Sequence, residues 1–355
     1  MTEIWTSSVV QTPDAIEQLA IRAEAAGFDG MFYSDSQNLR MELWVALAIA
    51  SKVTSRIKLG SNVTNPVTRH PAVTASAAAT LQEASGGRVV LGVGRGDSAL
   101  AYLGYGPVSL TQFGVFLQRL QGYLRGEEVA FNPGDIGGLP GLGALGYSKV
   151  PVVSKIRWLP ASQPKVPVIV VSSGPRVIAQ AARLADGVTI VVGADIPRLT
   201  SMIEIARNAR KEAGLDPATL SLTAHLNVVV HPDREEARRL AAGGVAMMAR
   251  WSVMRNEGEA LGDDKVREQF LKVRAAYDMT HHGGDTGTSH AAAVTEETID
   301  RFGIAGPPDY CVERIREVMK LGFDRVVLPA PLMGGEPSRQ LGLKLLVEEV
   351  MPNLR

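Results

Sequence analysis

Residues 60–100 of the chain read GSNVTNPVTRHPAVTASAAATLQEASGGRVVLGVGRGDSAL. Two apolar runs, IKLGSNV (57–63) and RVVLGVG (88–94), flank an alanine-rich segment whose spacing suits a helix. The pattern predicts a strand, a helix and a second strand. Because a crossover of this kind is right-handed and joins parallel strands, the small and polar residues after each strand are expected to meet at one edge of the sheet.

The same alternation continues over nearly the whole chain. Strand-like runs separated by helix-like segments occur at 3–10, 30–35, 57–63, 88–94, 167–173, 186–193, 221–230 and 324–330. Eight strands alternating with helices predict a (β/α)8 TIM barrel of the α/β class, and we interpret residues 1–355 as one domain. A doubly wound open sheet with a helical cap is the alternative. Two stretches, at about 127–164 and 252–292, interrupt the alternation and are expected to be irregular excursions.

Composition narrows the possible functions. The 355 residues carry 37 Lys+Arg and 37 Asp+Glu, and without a basic excess no nucleic-acid partner is expected. No apolar run approaches the ~18 residues of a membrane span. The amino terminus lacks the basic and apolar regions of a signal peptide, so we expect a cytoplasmic protein with no membrane partner. The single cysteine, Cys311, excludes an internal disulfide and a cysteine-rich metal site.

A glycine-rich turn, GVGRGDSA (92–99), ends the fourth strand-like run. Glycines at such a place let backbone amides approach a flat or anionic ligand closely. The spacing is not G-x-G-x-x-G, and no acidic residue about 20 positions on ends a second strand, so a Rossmann-type dinucleotide site is not indicated. The turn is either a structural turn or a ligand cradle, and Asp97 is either a functional carboxylate or a helix N-cap.

The fifth strand-like run ends in VSSGPRV (171–177). Small residues followed by Gly-Pro at a helix start expose backbone amides at the positive end of the helix dipole. This pattern predicts a phosphate-binding site, and a generic helix start is the alternative. The predicted site consists of Ser172, Ser173 and Gly174, with Pro175 opening the helix and Arg176 nearby.

Three histidines, His281, His282 and His290, lie in or beside the segment AYDMTHHGGDTGTSH (276–290). Their spacing matches no standard metal site, so no metal is predicted. The segment is either a substrate-contacting loop or a solvent-exposed one.

The segments NPVTRHPAVTAS (65–76) and SGGRVVLGVGRGD (85–97) resemble the luciferase-like monooxygenase superfamily and, within it, the methylenetetrahydromethanopterin reductase branch. The resemblance implies a luciferase-like barrel that binds the deazaflavin coenzyme F420. It implies hydride transfer between this cofactor and a small organic substrate with a C=N, C=C or C=O group. An FMN-dependent monooxygenase is the first alternative, and a non-catalytic cofactor-binding barrel is the second. Relatives commonly form dimers, so a homodimer is expected.

The resemblance also implies the residues that contact the cofactor. At the end of the third strand it implies a non-proline cis peptide at Asn62–Val63 that bulges against the back of the ring, with Thr64 beside it. Three residues of the glycine-rich turn would border the same ring: Arg95, Gly96 and Asp97. Asp97 then becomes a candidate proton donor or an orienting carboxylate.

Further residues follow from the same resemblance. Asp35, in SDSQN (34–38), matches an acid that contacts the polar edge of the cofactor. Related alcohol dehydrogenases have a histidine base at the next position, and Ser36 stands there in this chain, which argues against simple alcohol oxidation. Asp195 stands where sugar-phosphate-oxidising relatives have a lysine, which disfavours a phosphosugar substrate.

The family places the segment 276–290 over the barrel mouth. His281 and His282 are therefore further candidates for the catalytic proton donor.

Overall fold

The computed structural model describes residues 2–9, 12–132, 140–253, 263–283, 286–330, 332 and 335–355. Its strands are β1 (Glu3–Ser8), β2 (Gly30–Tyr33), β3 (Lys58–Ser61), β4 (Val89–Val93), β5 (Val168–Ser172), β6 (Gly187–Ile190), β7 (Ser221–His225), β8 (Val228–Val230), β9 (Ile304–Gly306) and β10 (Arg325–Val327). Eight of them close a barrel in the order β1-β10-β7-β6-β5-β4-β3-β2, and every neighbouring pair is parallel. The predicted (β/α)8 barrel is confirmed.

The helices surround this barrel. They are α1 (Pro13–Ala25), α2 (Leu43–Val53), α3 (Pro71–Ala84), α4 (Ser98–Ala101), α5 (Leu110–Leu124), α6 (Pro175–Leu184), α7 (Ile196–Glu212), α8 (Arg234–Ser252), α9 (Asp264–Ala275), α10 (Ser289–Ala292), α11 (Glu296–Phe302), α12 (Pro308–Met319) and α13 (Pro337–Leu345). In the described part of the chain, no helix combines the length and hydropathy required to cross a bilayer.

The alanine-rich segment between β3 and β4 forms the predicted helix, α3. Proline at its first position has no N–H to lose, and the Nδ1 atom of His70 accepts a hydrogen bond from the backbone N–H of Ala72 at 3.1 Å. Its buried residues include Ala75, Ala78 and Leu81, which are spaced three apart and pack into the core around the barrel. Small side chains on this stripe let the helix lie close to the sheet.

The barrel interior is filled by aromatic and branched side chains. Trp5, Phe32, Val90, Ile169 and Val327 form a buried cluster of their own, in which the rings of Trp5 and Phe32 lie 4.5 Å apart. The space for the indole exists because β2 begins with a glycine. A Cβ atom built at Gly30 lies 2.1 Å from two ring atoms of Trp5.

Replacing Gly30 with alanine is expected to lower the free energy of unfolding by about 1–3 kcal/mol, because the buried indole must move to admit a methyl group. Urea unfolding measures the change. Gly141→Ala is the matched control, since a Cβ there meets no heavy atom within 4 Å. An unfolding midpoint for Gly30→Ala equal to that of the control would contradict the prediction.

Two expectations about the chain after residue 220 need correction. The run 221–230 is not one strand: β7 stays in the barrel, whereas β8 leaves it and pairs with β9. Asn227, between them, donates a hydrogen bond to the carbonyl of Ala241 on α8 at 2.8 Å, and this contact turns the chain away from the barrel.

The excursion predicted at 252–292 is not irregular throughout, because it contains α9. Phe270 and Val273 of α9 are buried against α8. Together with Val266 they have helical spacing, which the sequence-based interpretation overlooked. The excursion at 127–164 is irregular where it is described, apart from a bridge between Val129 and Ser154 and a short 3₁₀ turn at Leu142–Leu145. Residues 133–139, 254–262 and 284–285 of these excursions lie outside the described residues.

Candidate active site

A cleft of about 1070 Å³ opens at the carboxyl ends of the barrel strands. This is the edge at which barrel enzymes place their active sites. The volume is close to the upper end of the ~300–1,000 Å³ that is typical of small-molecule sites. Each barrel strand contributes a lining residue at or just after its end: Ser8, Asp35, Asn62, Gly94, Ser172, Val191, His225 and Pro329.

At the end of β2, Asp35 is nearly fully buried and its carboxylate accepts a hydrogen bond from Arg69 at 2.8 Å. Burial raises the pKa of Asp35 above its ordinary value, although hydrogen bonds from Thr64 and Arg69 and the charge of Arg69 act in the opposite direction. The hydroxyl of Ser36, the next residue, lies 3.0 Å from that of Ser98. Both Asp35 and Ser36 line the cleft.

The end of β3 is joined to β4 by backbone hydrogen bonds. The peptide bond between Asn62 and Val63 is cis, which confirms that prediction. The N–H of Thr64 donates to the carbonyl of Gly92 at 3.0 Å, and the N–H of Gly94 donates to the carbonyl of Thr64 at 2.9 Å. Asn62 and Val63 line the cleft, whereas Thr64 is fully buried behind them.

Asp97 lies at the end of β4, and its carboxylate is bound by two side chains of α8. Arg250 donates to both oxygens, at 3.0 Å to Oδ1 and more closely to Oδ2, and the indole N–H of Trp251 donates to Oδ2 at 2.7 Å. Burial alone would raise the pKa of Asp97, but the hydrogen bonds and charge of Arg250, with the bond from Trp251, bring it below its ordinary value. Asp97 occupies the N-cap position of α4, but among the described residues its side chain makes no capping hydrogen bond, because the carboxylate is bound by α8 instead.

This ion pair extends into a cluster of rings. The guanidinium of Arg250 lies 4.6 Å from the centroid of Tyr277, a cation–π contact. The hydroxyl of Tyr277 lies 2.8 Å from Nδ1 of His282, and its ring stacks on that of His290 at 4.1 Å. Burial and the charge of Arg250 lower the pKa of His282, so the neutral imidazole is favoured. His282 lines the cleft, as the sequence analysis expected of the loop.

The predicted phosphate site is only partly assembled at the cleft. Ser172, Ser173 and Gly174 line it, and the N–H of Gly174 donates to the hydroxyl of Ser172 at 3.1 Å. No side chain caps α6, so a ligand at this end would meet backbone amides directly. Pro175 and Arg176 are not among the described lining residues, and Arg176 is exposed.

The structure does not bring His281 into the cleft. Its side chain is exposed and its Nδ1 atom pairs with Asp278 at 2.8 Å. Residues 279–281 form a 3₁₀ turn, and the next residue, His282, points away from His281 and faces Tyr277. In the part of the chain that is described, no group of three or more His, Cys, Asp or Glu side chains is arranged to hold a metal ion.

Asp195 is also accounted for by contacts outside the cleft. It accepts a hydrogen bond from the N–H of Arg198 at the start of α7 and an ion-pair bond from Arg301 at 2.5 Å. A carboxylate therefore occupies the place where a phosphate-binding cation was sought.

Four site residues escaped the sequence analysis: His225, Arg250, Trp251 and Tyr277. His225 ends a predicted strand, so its position at the carboxyl end of that strand was a usable signal. The sequence contains no local signal for the roles of Arg250 and Trp251, because their partner Asp97 is 153 and 154 residues away along the chain.

Comparisons with known proteins agree with this geometry. A family model described as luciferase-like monooxygenase matches residues 1–325. The 5,10-methylenetetrahydromethanopterin reductase of Archaeoglobus fulgidus is 31% identical over 351 residues, covering 94% of this chain and 93% of the relative. The F420-dependent glucose-6-phosphate dehydrogenase of Beutenbergia cavernae is 29% identical, covering 94% and 91%.

A solved structure extends the similarity to three dimensions. The coenzyme F420-dependent tetrahydromethanopterin reductase of Methanopyrus kandleri superposes with a TM-score of 0.78 at 25% identity, covering 100% of this chain and 99% of that one.

Proposed function

The chain belongs to the luciferase-like monooxygenase family, and from this premise we propose that it is an oxidoreductase that transfers hydride between coenzyme F420 and a small organic substrate. The substrate class is a molecule with a C=N, C=C or C=O group. The observation that carries this proposal is the extent of the similarity: relatives named for F420 or for reduction of a methylene pterin cover nine-tenths or more of both chains.

The residues of the cleft fit the cofactor. Val63 packs against the backbone of the turn after β4, where a Cβ at Gly94 would lie 2.8 Å from the Cγ2 atom of Val63, so the absence of a side chain at Gly94 lets Val63 form this part of the cleft wall. The buried hydroxyl of Ser34 and amide nitrogen of Asn65 line the cleft without a hydrogen-bond partner among the described residues, and a polar ligand would satisfy them.

We assign the ring of the cofactor to one wall of the cleft and its phosphate to another. The ring wall consists of Asp35, Ser36, Asn62, Val63, Arg95, Gly96 and Asp97, with Thr64 supporting it from behind. The phosphate wall consists of Ser172, Ser173 and Gly174 at the start of α6, with Pro175 and Arg176 beyond it. When bound and reduced, F420 supplies a hydride and does not activate oxygen.

Asp97 acts as an orienting carboxylate in this proposal. A carboxylate that is bound by both nitrogens of a guanidinium and whose pKa is lowered holds no proton to donate near neutral pH. His282 also has no acidic proton to donate near neutral pH, because its pKa is lowered and the imidazole is uncharged. Asp97 and His282 therefore supply no proton when hydride arrives, and a positively charged C=N group is the member of the proposed class that needs none from them. Asp35, whose pKa is raised, is the remaining acid candidate.

We also propose one domain, a homodimer and a cytoplasmic location. A continuous core that includes both Ile4 and Leu354 supports a single domain. Val45 of α2 and Val73 of α3 are more than half exposed on neighbouring helices, which supports a partner on this face. A single buried cysteine is usual for a reducing compartment. Light scattering should give about twice the 37.9 kDa of one chain.

Titration of the purified protein with coenzyme F420 and, separately, with FMN tests the proposal by ligand fluorescence. We expect saturable binding of F420 and none of FMN at the same concentrations. Reduced F420 should then be oxidised when 5,10-methylenetetrahydromethanopterin is added. A preference for FMN would instead support a monooxygenase, and binding of neither would support a non-catalytic barrel.

A further inference from the structure

His225 ends β7 and lines the cleft. In the closed barrel, β7 and β3 are separated by three strands in either direction, so their carboxyl ends face each other across the mouth. His225 therefore lies opposite the wall formed by Asn62 and Val63. No sequence motif pointed to this residue, and none of the roles assigned above uses it.

The imidazole of His225 has no side-chain partner among the described residues. Burial lowers its pKa to about 4, and no charged side chain contributes to that shift. The ring is consequently neutral near pH 7, with one nitrogen that donates and one that accepts a hydrogen bond. A polar ring that lines a cleft without a side-chain partner is expected to bind a ligand atom.

The carboxylates at the mouth and the other ring and amide side chains near β7 are already engaged with the protein. Asp35 is bound by Arg69 and Asp97 by Arg250. On the far side of the mouth, His282 is bound by Tyr277, and the amide of Asn227 donates to the backbone of α8. His225 differs from these four residues, because no side chain among the described residues binds its imidazole, and it can therefore turn toward a substrate without breaking a side-chain contact.

We propose that the imidazole of His225 hydrogen-bonds the reacting group of the substrate, on the side of the cleft opposite Asn62 and Val63. The inference rests on the proposed function, because it takes the β3 wall as the place of the cofactor ring. His225 donates its N–H to a carbonyl oxygen or accepts from an N–H beside a C=N carbon. It transfers no proton: a positively charged C=N group needs none when hydride is added to its carbon, and the oxygen of a reduced carbonyl would take its proton from water.

The test uses the full chain labelled with ¹⁵N at histidine and saturated with oxidised F420, which has no hydride to give. The His225→Gln variant assigns the resonances. Either 5,10-methylenetetrahydromethanopterin or acetone, as an imine-type and a ketone probe, is then added. We expect the imidazole nitrogens of His225 to shift with one of these probes, while those of His231, outside the cleft, stay unchanged.

Kinetics with reduced F420 provide the second readout. His225→Gln and His225→Ala are expected to lower kcat/KM by about tenfold to a hundredfold, the cost of losing one well-placed hydrogen bond, with glutamine retaining more activity because its amide still donates. The dissociation constant for F420 should change less than twofold in both variants. The matched substitution His231→Gln should leave kcat/KM and F420 binding unchanged.

Two outcomes overturn the inference while leaving the proposed function intact. One is F420 binding by the wild-type protein with no shift of the His225 nitrogens by either probe. The other is turnover in His225→Ala within twofold of wild type. Failure of the wild-type protein to bind F420 would instead overturn the proposed function.

Discussion

Arg250→Ala is expected to lower the free energy of unfolding by about 3–5 kcal/mol, the usual cost of breaking a buried ion pair from one side. The side chain of Arg250 is only 8% exposed, and it is the cation that neutralises Asp97. Among the described residues, alanine leaves the carboxylate in the cleft wall with only the bond from Trp251, and it removes the cation that lies over Tyr277. F420 binding should weaken in parallel, because Asp97 loses its fixed orientation.

Urea unfolding and F420 fluorescence titration measure the two effects. Arg250→Lys should fall between wild type and alanine, since an ammonium group keeps the charge but binds one carboxylate oxygen rather than two. The double variant Asp97→Asn with Arg250→Met should lose less stability than Arg250→Ala, because it leaves no unpaired charge. A loss below about 1 kcal/mol for Arg250→Ala would mean that water replaces the guanidinium.

The same pair has a defined pH dependence. The pKa of Asp97 is lower in the folded protein than the ~4 of an unfolded chain. The stability that the folded protein gains from ionised Asp97 is therefore complete above the unfolded-state pKa and is lost as the pH falls through the folded-state pKa. The difference in unfolding free energy between wild type and Arg250→Ala should accordingly be constant from pH 6 to 8 and shrink in acid. A difference that grew as the pH fell would contradict the assignment.

The barrel could be predicted from the sequence because its signals are local. Alternating apolar runs and helical segments occur in chain order, and Pro71 marks the start of α3 without reference to any other part of the fold. The run 221–230 was misread because β8 is as apolar as β7. Its departure from the barrel depends on β9, which lies more than 70 residues later. Periodicity carries no information about such a partner.

The residues of the candidate site also differ in whether the local sequence could identify them. Residues at or just after the end of a strand, such as Asp35, Asn62 and Ser172, could be placed at the cleft from their position alone. His281 and His282 are adjacent in sequence, and only the 3₁₀ turn before them decides which one faces the cleft. Arg250 could not be found at all, since the pairing that gives it a role depends on how α8 lies over β4.

Gly94→Ala is expected to raise the dissociation constant for F420 by about tenfold to a hundredfold, the equivalent of about 1–3 kcal/mol of overpacking. A Cβ atom at this position lies 2.8 Å from the Cγ2 atom of Val63, inside van der Waals contact. Gly94 is not among the glycines with positive φ, so the backbone accepts alanine and the effect comes from the added methyl group alone. That methyl group pushes Val63 toward the space that the ring of the cofactor is proposed to fill.

The double variant Gly94→Ala with Val63→Ala separates displacement of Val63 from simple filling of the cleft. Removing both γ-methyl groups of Val63 takes away the atom that the new Cβ meets, so binding should recover by several-fold relative to Gly94→Ala. Gly143→Ala is the matched control, because a Cβ there meets no heavy atom within 4 Å and its F420 affinity should equal that of wild type. Unchanged affinity in Gly94→Ala would place the ring away from β3 and β4, and the cofactor wall proposed here would have to be moved to another part of the barrel mouth.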